Sequence, residues 1–114
     1  MKIEIKHRFT GEILFSIEAS SWKVAVEAVI KSGADLRWAD LRWANLRGAD
    51  LRGADLDFSC WPLWCGSLDV KLNKKQKRQL LYHLLAVAPE YRTQELIDEA
   101  NKFHRVGEVP KLSI

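Results

Sequence analysis

The sequence predicts an α+β protein in which a coil of short stacked elements lies between an N-terminal ββα unit and a C-terminal αα-hairpin. Three patterns lead to this prediction. Apolar and charged residues alternate near the N-terminus, alanine and leucine recur every five positions over residues 33–57, and two apolar stripes with helical spacing follow residue 73. Each pattern has the period of a different backbone arrangement, so each part of the chain is expected to fold differently.

The first segment, residues 1–32, predicts a β-hairpin and a helix. Charged and apolar residues alternate on both sides of Thr10–Gly11, which provides turn chemistry. Ser20 or Ser21 can cap a helix that runs to about Lys31 with one broad apolar face. We therefore expect a ββα cap in front of the repeats.

Residues 33–57 are five consecutive pentapeptides, GADLR WADLR WANLR GADLR GADLD. A period of five fits neither a helix nor a simple strand, and it indicates a coil of stacked short elements. The apolar residues of each pentapeptide are expected to face inward and the charged residues to face water. The expected inward residues are Ala34, Leu36, Ala39, Leu41, Ala44, Leu46, Ala49, Leu51, Ala54 and Leu56.

This pattern resembles the pentapeptide-repeat family, whose motif is A(D/N)LXX. The resemblance implies a right-handed quadrilateral β-helix with four pentapeptides per turn and leucines along its axis. Five repeats would make only about one and a quarter turns, so both ends need caps. Ser59 and Trp61 extend the register before Pro62 interrupts it, which predicts a coil over 33–68 with an irregular end.

Two helices are predicted after the repeats. Asn73 and Thr93 are placed to cap helices from Lys74 to about Ala88 and from Gln94 to about Arg105. The apolar residues of the tail, 108–114, either dock on the body or extend away from it.

Length and composition bound the interpretation. The chain has 114 residues, 47% of them apolar and 29% charged, which predicts one soluble domain, 1–114, divided into a cap (1–32), a coil (33–68), and a helical cap with tail (69–114). No apolar run of membrane-spanning length and no signal-peptide core is seen, so a cytoplasmic protein without membrane contact is expected. Enzyme motifs are missing as well, and catalysis is not expected.

One set of side chains has the donors for a metal. Cys60, Cys65, His83 and His104 could satisfy tetrahedral zinc, although Cys-x4-Cys is less diagnostic than Cys-x2-Cys and the histidines lie on different predicted helices. The alternative is no cofactor, with two cysteines behaving as small apolar residues and histidines bordering helix faces. A disulfide is not expected in a reducing compartment.

Two sets of charges suggest different surfaces. The arginines of the repeats are interleaved with aspartates, which is typical of a solvated surface. The dense basic cluster before and at the start of the first C-terminal helix is the candidate for nucleic-acid contact, and its alternative is an ordinary exposed lysine-rich face. This cluster contains Lys71, Lys74, Lys75, Lys77 and Arg78.

Trp38 and Trp43 occupy outward positions where later repeats have Gly48 and Gly53. Either they bind a partner or the caps cover them, because tryptophan is common both at binding hot spots and in aromatic cover. The pair Trp61 and Trp64 raises the same question.

A regular coil without a cleft favours macromolecular recognition over turnover of a small molecule. The chain is also similar to short pentapeptide-repeat proteins of bacteriophages and prophages. This resemblance implies a non-enzymatic inhibitor or adaptor that binds host nucleic-acid machinery, for example a CRISPR effector or a topoisomerase. The alternative is a nucleic-acid-binding protein that uses the basic helix 71–78, and the oligomeric state is left open. The expected partner contacts are Trp38, Trp43, Arg37, Arg42, Arg47, Arg52, Asp40 and Asp50.

Overall fold

The computed structural model describes residues 1–102 and 109–114 of the chain. The described residues divide into two compact units, Met1–Lys71 and Leu72–Ile114. The prediction of one domain stays a prediction. Helices and strands both occur, in agreement with the α+β class. Among the described residues, no helix combines the length and the apolar character needed to cross a membrane.

The first unit begins with the expected ββα arrangement. Strands β1 (Lys2–His7) and β2 (Ile13–Glu18) form an antiparallel hairpin, and helix α1 spans Trp22–Lys31. The Ser21 hydroxyl accepts a hydrogen bond from the Val24 amide at 3.2 Å, so Ser21 is the cap of α1.

The hairpin joins the repeats through main-chain hydrogen bonds. A short strand β3, Ala39–Asp40, pairs antiparallel with the end of β1, which gives the sheet order β2-β1-β3. Beside it, the Arg8 amide donates to the Trp38 carbonyl at 2.8 Å. The N-terminal cap therefore supplies backbone partners that the first repeats would otherwise lack.

After β3 the chain continues through the repeats, which we call the first pass, and then runs alongside them from Cys60 onward, which we call the second pass. Residues about 20 positions apart are therefore hydrogen-bonded. The amides of Leu41, Leu46 and Leu51 donate to the carbonyls of Cys60, Gly66 and Lys71 at 3.1, 2.7 and 3.0 Å. The second pass thus continues to Lys71, beyond the predicted end at 68. It includes one turn of 3-10 helix, Cys65–Ser67, where the sequence has left the repeat pattern.

The centre of the repeats is the core of this unit, and the inward assignment is confirmed there. Ala34, Ala54 and Leu56, at the two ends of the repeats, are only partly buried because fewer neighbours cover them. The fully or almost fully buried positions are Leu36, Ala39, Leu41, Ala44, Leu46, Ala49 and Leu51.

The second unit contains helices α2 (Lys74–Val87) and α3 (Gln94–Ala100), which contact each other. Their predicted caps are confirmed: Asn73 forms a reciprocal capping box with Gln76, and the Thr93 hydroxyl accepts from the Leu96 amide at 3.2 Å. A single 3-10 turn, Pro89–Tyr91, lies between the two helices.

Helix α3 ends at Ala100, earlier than the predicted end near Arg105, and the part of that prediction over 103–105 lies outside the described residues. Asn101 caps α3 and exchanges two side-chain hydrogen bonds with the Leu112 backbone, at 2.9 and 3.0 Å. The Asn101 side chain therefore binds the tail at the residue that follows the end of α3.

The tail docks on the second unit. Val109 and Leu112 pack against a core of Tyr82, Leu85 and Ala100. The Tyr82 hydroxyl donates to the carbonyl of Pro110, which follows Val109. Of the two alternatives left by the sequence, the structure shows docking for Val109 and Leu112, whereas Ile114 is 82% exposed.

Candidate functional site

An open groove of about 790 Å³ lies on the first unit. We call it the tryptophan groove, because three indole rings contribute to its walls. It lies between the junction of the second and third pentapeptides, at Arg42 and Trp43, and the residues from Cys60 onward, which main-chain hydrogen bonds bring side by side. Its lining residues are Arg42, Trp43, Cys60, Trp61, Leu63 and Trp64.

The tryptophan groove exposes large apolar side chains. Trp43 is 83% exposed and Leu63 is 93% exposed, and Trp64 is also exposed in part. Pro62 between Trp61 and Leu63 is fully buried, so it holds this stretch of the chain against the coil. A contiguous apolar surface of this kind on a folded unit marks an interaction site more often than a surface of scattered apolar residues does.

Trp64 is held in place by contacts within the first unit. Its indole Nε1 donates to the Arg42 carbonyl at 2.8 Å. Its ring lies directly over Gly66, where an added Cβ would come within 2.5 Å of the ring and 2.9 Å of the Ala44 carbonyl oxygen. Only glycine leaves room for this arrangement, so the sequence at residue 66 fixes the position of one wall of the groove.

The structure places Trp38 away from the tryptophan groove, in an aromatic stack. The centre of its ring lies 4.4 Å from that of Phe58, and the two rings are nearly parallel. The His7 ring also stacks on Trp38, with ring centres 5.9 Å apart. Phe9 adds a tilted contact at 5.9 Å. Trp38 is 37% exposed and therefore mostly covered, whereas Trp43 in the next pentapeptide is not.

The backbone at this stack is left-handed. Trp38 and Phe58 have φ of 68° and 63°, and Gly48 and Gly53 have φ of 73° and 84° at the same register position of their pentapeptides. Glycine adopts this conformation freely, while for other residues it costs about 1 kcal/mol or more. The stack, together with a 2.9 Å hydrogen bond from Arg8 Nη1 to the Phe58 carbonyl, offsets that cost.

Most charges of the repeats neutralise each other within one pentapeptide. Three of the repeat aspartates bind the arginine two residues later, at 2.7 Å for Asp35 and 2.8 Å for both Asp40 and Asp50. The hydrogen bonds from the guanidinium groups hold the pKa of each of these carboxyl groups below its ordinary value. The partners are Arg37, Arg42 and Arg52.

Comparison with known families agrees with this geometry. Residues 32–60 match the family model described as pentapeptide repeats (8 copies). The chain carries pentapeptide repeats. Searches among curated proteins and among solved structures found no match. The matched residues include Trp43 and Cys60, and the rest of the tryptophan groove over 61–64 lies just beyond them.

Arg47 differs from the other arginines of the pentapeptide repeats. Its own pentapeptide has Asn45 in place of aspartate, and the Asn45 side-chain oxygen accepts a hydrogen bond from the Arg47 amide at 3.3 Å. Within the part of the chain that the structure describes, Arg47 pairs with Asp69, whose carboxylate lies 4.0 Å from Arg47 Nε. Of the four repeat arginines, Arg47 therefore has the weakest ion pair and the most available charge.

The predicted basic cluster is divided between the two units. Lys71 pairs through its backbone with Ala49 and Leu51 in the first unit. In the second unit, Arg78 is bound to Glu99 at 2.6 Å. The remaining lysines are exposed and form no ion pair with any residue that the structure describes: Lys74, Lys75 and Lys77.

The predicted zinc ligands that the structure describes, Cys60, Cys65 and His83, are not grouped together. Within residues 1–102 and 109–114, no three His, Cys, Asp or Glu side chains are grouped so that they could hold a metal. Cys60 and Cys65 are free thiols of the first unit, and His83 contacts the Tyr82 ring in the second. His104 lies outside the described residues, so the four-ligand site stays a prediction.

The sequence indicated part of this site. Trp43 and Arg42 belong to the expected contact set, and for Trp61 and Trp64 the sequence leaves partner binding and aromatic cover as alternatives. Leu63 was missed as a contact residue, although its signal is its position between two tryptophans in a stretch that departs from the repeat.

Proposed function

We propose that this protein is a non-enzymatic protein-binding module whose contact surface is the tryptophan groove. The observation that carries the proposal is the exposure of Trp43 and Leu63 beside a third large apolar side chain, Trp64, that is already fixed. Tryptophan is over-represented among residues that dominate binding energy. A fixed aromatic wall also loses little conformational entropy when a partner binds.

The scaffold favours the same proposal. We infer that residues 33–71 form a right-handed quadrilateral coil, because backbone partners lie about 20 residues apart and four pentapeptides contain that number of residues. A coil closed by main-chain hydrogen bonds and filled by leucines is rigid, and it presents outward side chains at fixed spacing. Such a surface suits recognition of a folded partner.

The partner is expected to present apolar side chains to the groove. Arg42, the charged residue in its lining, is already neutralised by Asp40 at 2.8 Å. Arg47 in the following pentapeptide offers a nearly unpaired cation that an acidic residue of the partner could bind. The further assignment to an inhibitor or adaptor of host nucleic-acid machinery, with a CRISPR effector or topoisomerase as the target, follows from the resemblance to phage proteins and is part of the proposal.

A second candidate function is nucleic-acid binding by α2. The specific observation is that Lys74, Lys75 and Lys77 are exposed without ion pairs among the described residues. Their charge is concentrated at the start of one helix, which also directs positive backbone dipoles toward an anion. Arg78 contributes less, because Glu99 neutralises it.

Affinity purification from host lysate, with and without nuclease, separates the two functions. The captured partner should survive nuclease, and Trp43→Ala should weaken its binding by about 2 kcal/mol, roughly 30-fold in Kd. Ile13→Ala, which removes an exposed apolar side chain outside the tryptophan groove, is the control and should bind normally.

If the protein binds nucleic acid through α2, the opposite results are expected. Binding would disappear with nuclease, would ignore Trp43→Ala, and would weaken when the three lysines are neutralised. Each lost phosphate contact should make the negative slope of log affinity against log salt shallower by about 0.9. These results would mean that the lysines of α2, and not the tryptophan groove, form the functional surface.

A further inference from the structure

The side chains of the tryptophan groove can donate hydrogen bonds but can hardly accept them. They are three indole rings, one guanidinium, one thiol and one leucine, and none of them carries an oxygen atom. The main-chain carbonyls of Arg42, Cys60 and Trp64 already accept hydrogen bonds from within the first unit. The side chains of the groove therefore offer a ligand strong donors and, apart from the weakly polar Cys60 thiol, no acceptor.

Two of the indole donors are available to a ligand. The Nε1 groups of Trp43 and Trp61 form no hydrogen bond with any residue that the structure describes, whereas that of Trp64 is used on the Arg42 carbonyl. A partner that covers the groove removes water from these groups. An indole N–H that loses water without gaining an acceptor costs free energy, so the partner must supply acceptors at these two positions.

The same requirement separates the kinds of peptide that could fill the groove. A helix uses its carbonyls in its own backbone hydrogen bonds and has few to offer. An extended strand brings an N–H for each carbonyl, and the groove side chains give those N–H groups no strong acceptor. Proline has a carbonyl and no N–H, and the polyproline II helix leaves its carbonyls free of internal hydrogen bonds. Its rings also pack in aromatic-lined grooves, and its stiffness lowers the entropy lost on binding.

We propose that the tryptophan groove binds a proline-rich segment in the polyproline II conformation, whose carbonyls accept hydrogen bonds from the indoles of Trp43 and Trp61. This inference rests on the proposed function, since it names the kind of segment that the protein partner presents. The groove volume of about 790 Å³ is within the range of sites for drug-sized ligands, so only a few residues of the segment enter it. The segment needs no charge there, because Asp40 already neutralises Arg42.

The indole N–H signals of the full chain in two-dimensional NMR test this proposal. The probe is an end-capped peptide of about ten prolines, which forms a polyproline II helix. The signals of Trp43 and Trp61 should move most during the titration, and those of Trp22 and Trp38, which lie outside the groove, should stay in place. The chain has five tryptophans, so single changes to phenylalanine assign every signal.

Two comparisons isolate the hydrogen bond from the apolar contact. Trp43→Phe keeps an aromatic ring and removes the donor, so it should raise the Kd of the proline peptide about two- to tenfold, the effect of one lost hydrogen bond. Trp38→Phe makes the same change at the same register position outside the groove, and it should bind normally. A peptide that alternates alanine with proline restores N–H groups and should bind several-fold more weakly. Circular dichroism confirms that both variants stay folded.

Several results would overturn the proposal. They are no binding of the proline peptide to the folded protein, equal binding of the alternating peptide, and unchanged binding by Trp43→Phe. Oligothymidine that moves the same indole signals at lower concentration would also overturn it, because the groove would then stack bases. Failure here can be told apart from failure of the proposed function. A nuclease-resistant partner that is sensitive to Trp43→Ala would leave that function standing, and proline binding without such a partner would contradict that function alone.

Discussion

Trp38 and Trp43 occupy equivalent positions in successive pentapeptides, and their replacement should have opposite consequences. Trp38 is stacked on Phe58 and mostly covered, whereas Trp43 is 83% exposed in the tryptophan groove. Replacing Trp38 should therefore lower the free energy of unfolding, and replacing Trp43 should weaken only partner binding.

The size of the Trp38 effect follows from three contributions. With 37% of Trp38 exposed, the ring buries about 150 Å². At about 25 cal/mol per Å² this contributes up to about 4 kcal/mol, and the stacking geometry adds about 1 kcal/mol. Trp38→Gly also removes a left-handed non-glycine residue, which returns about 1 kcal/mol. The expected net loss for Trp38→Gly is about 3 to 4 kcal/mol.

Trp38→Ala should be more damaging than Trp38→Gly, because alanine loses the aromatic stack and still bears the cost of a left-handed backbone. It should be about 1 kcal/mol less stable than Trp38→Gly, which reverses the usual order of alanine and glycine. Trp43→Ala should change stability by less than about 0.5 kcal/mol. Urea denaturation followed by circular dichroism measures all three variants. If Trp38→Ala is as stable as Trp38→Gly, or if Trp43→Ala loses as much as either, the distinction between stacked and free tryptophan is wrong.

Three further outcomes are expected. Leu46→Asp should cost several kcal/mol because it places a carboxylate on the buried axis, and Arg47→Ala should be nearly silent; similar thermal melts would contradict the inward and outward assignment. Gly66→Ala should displace the Trp64 ring and weaken both partner binding and stability, measured by titration and melting; normal binding would show that the ring can move. Asp40→Asn should be less stable than the native protein above about pH 4 and lose that difference as acid protonates the native carboxyl, whose folded pKa is lowered. A gap independent of pH in urea titrations would argue against that ion pair.

The repeats could be predicted because their register allows no slippage. A shift by one residue would place charged side chains on the axis, so Leu41 and Leu46 have one plausible location and are buried there. The caps Asn73 and Thr93 could also be predicted, because each side chain satisfies an amide only a few residues away, whereas for the first helix the sequence left Ser20 and Ser21 as alternatives.

The course of the second pass could not be predicted from the sequence in the same way. Its bonds join main-chain atoms about 20 residues apart, as between Leu46 and Gly66, and these depend on the path of the chain and not on side-chain identity. The sequence shows that Trp61 and Trp64 are unusual. It does not show that Trp64 binds the Arg42 carbonyl, because that contact exists only after the coil has closed.

One register position of the pentapeptides performs three different tasks, and this links the scaffold to the proposed binding. At Gly48 and Gly53 the position only turns the chain, with a left-handed backbone that glycine adopts freely. At Trp38 it accepts the same backbone and covers the end of the coil through the aromatic stack. At Trp43 the side chain is exposed and lines the tryptophan groove. Because buried leucines and main-chain hydrogen bonds hold the repeats, an outward position that is not stacked, such as Trp43, can change without loss of the fold, and the partner's identity should therefore depend on such positions.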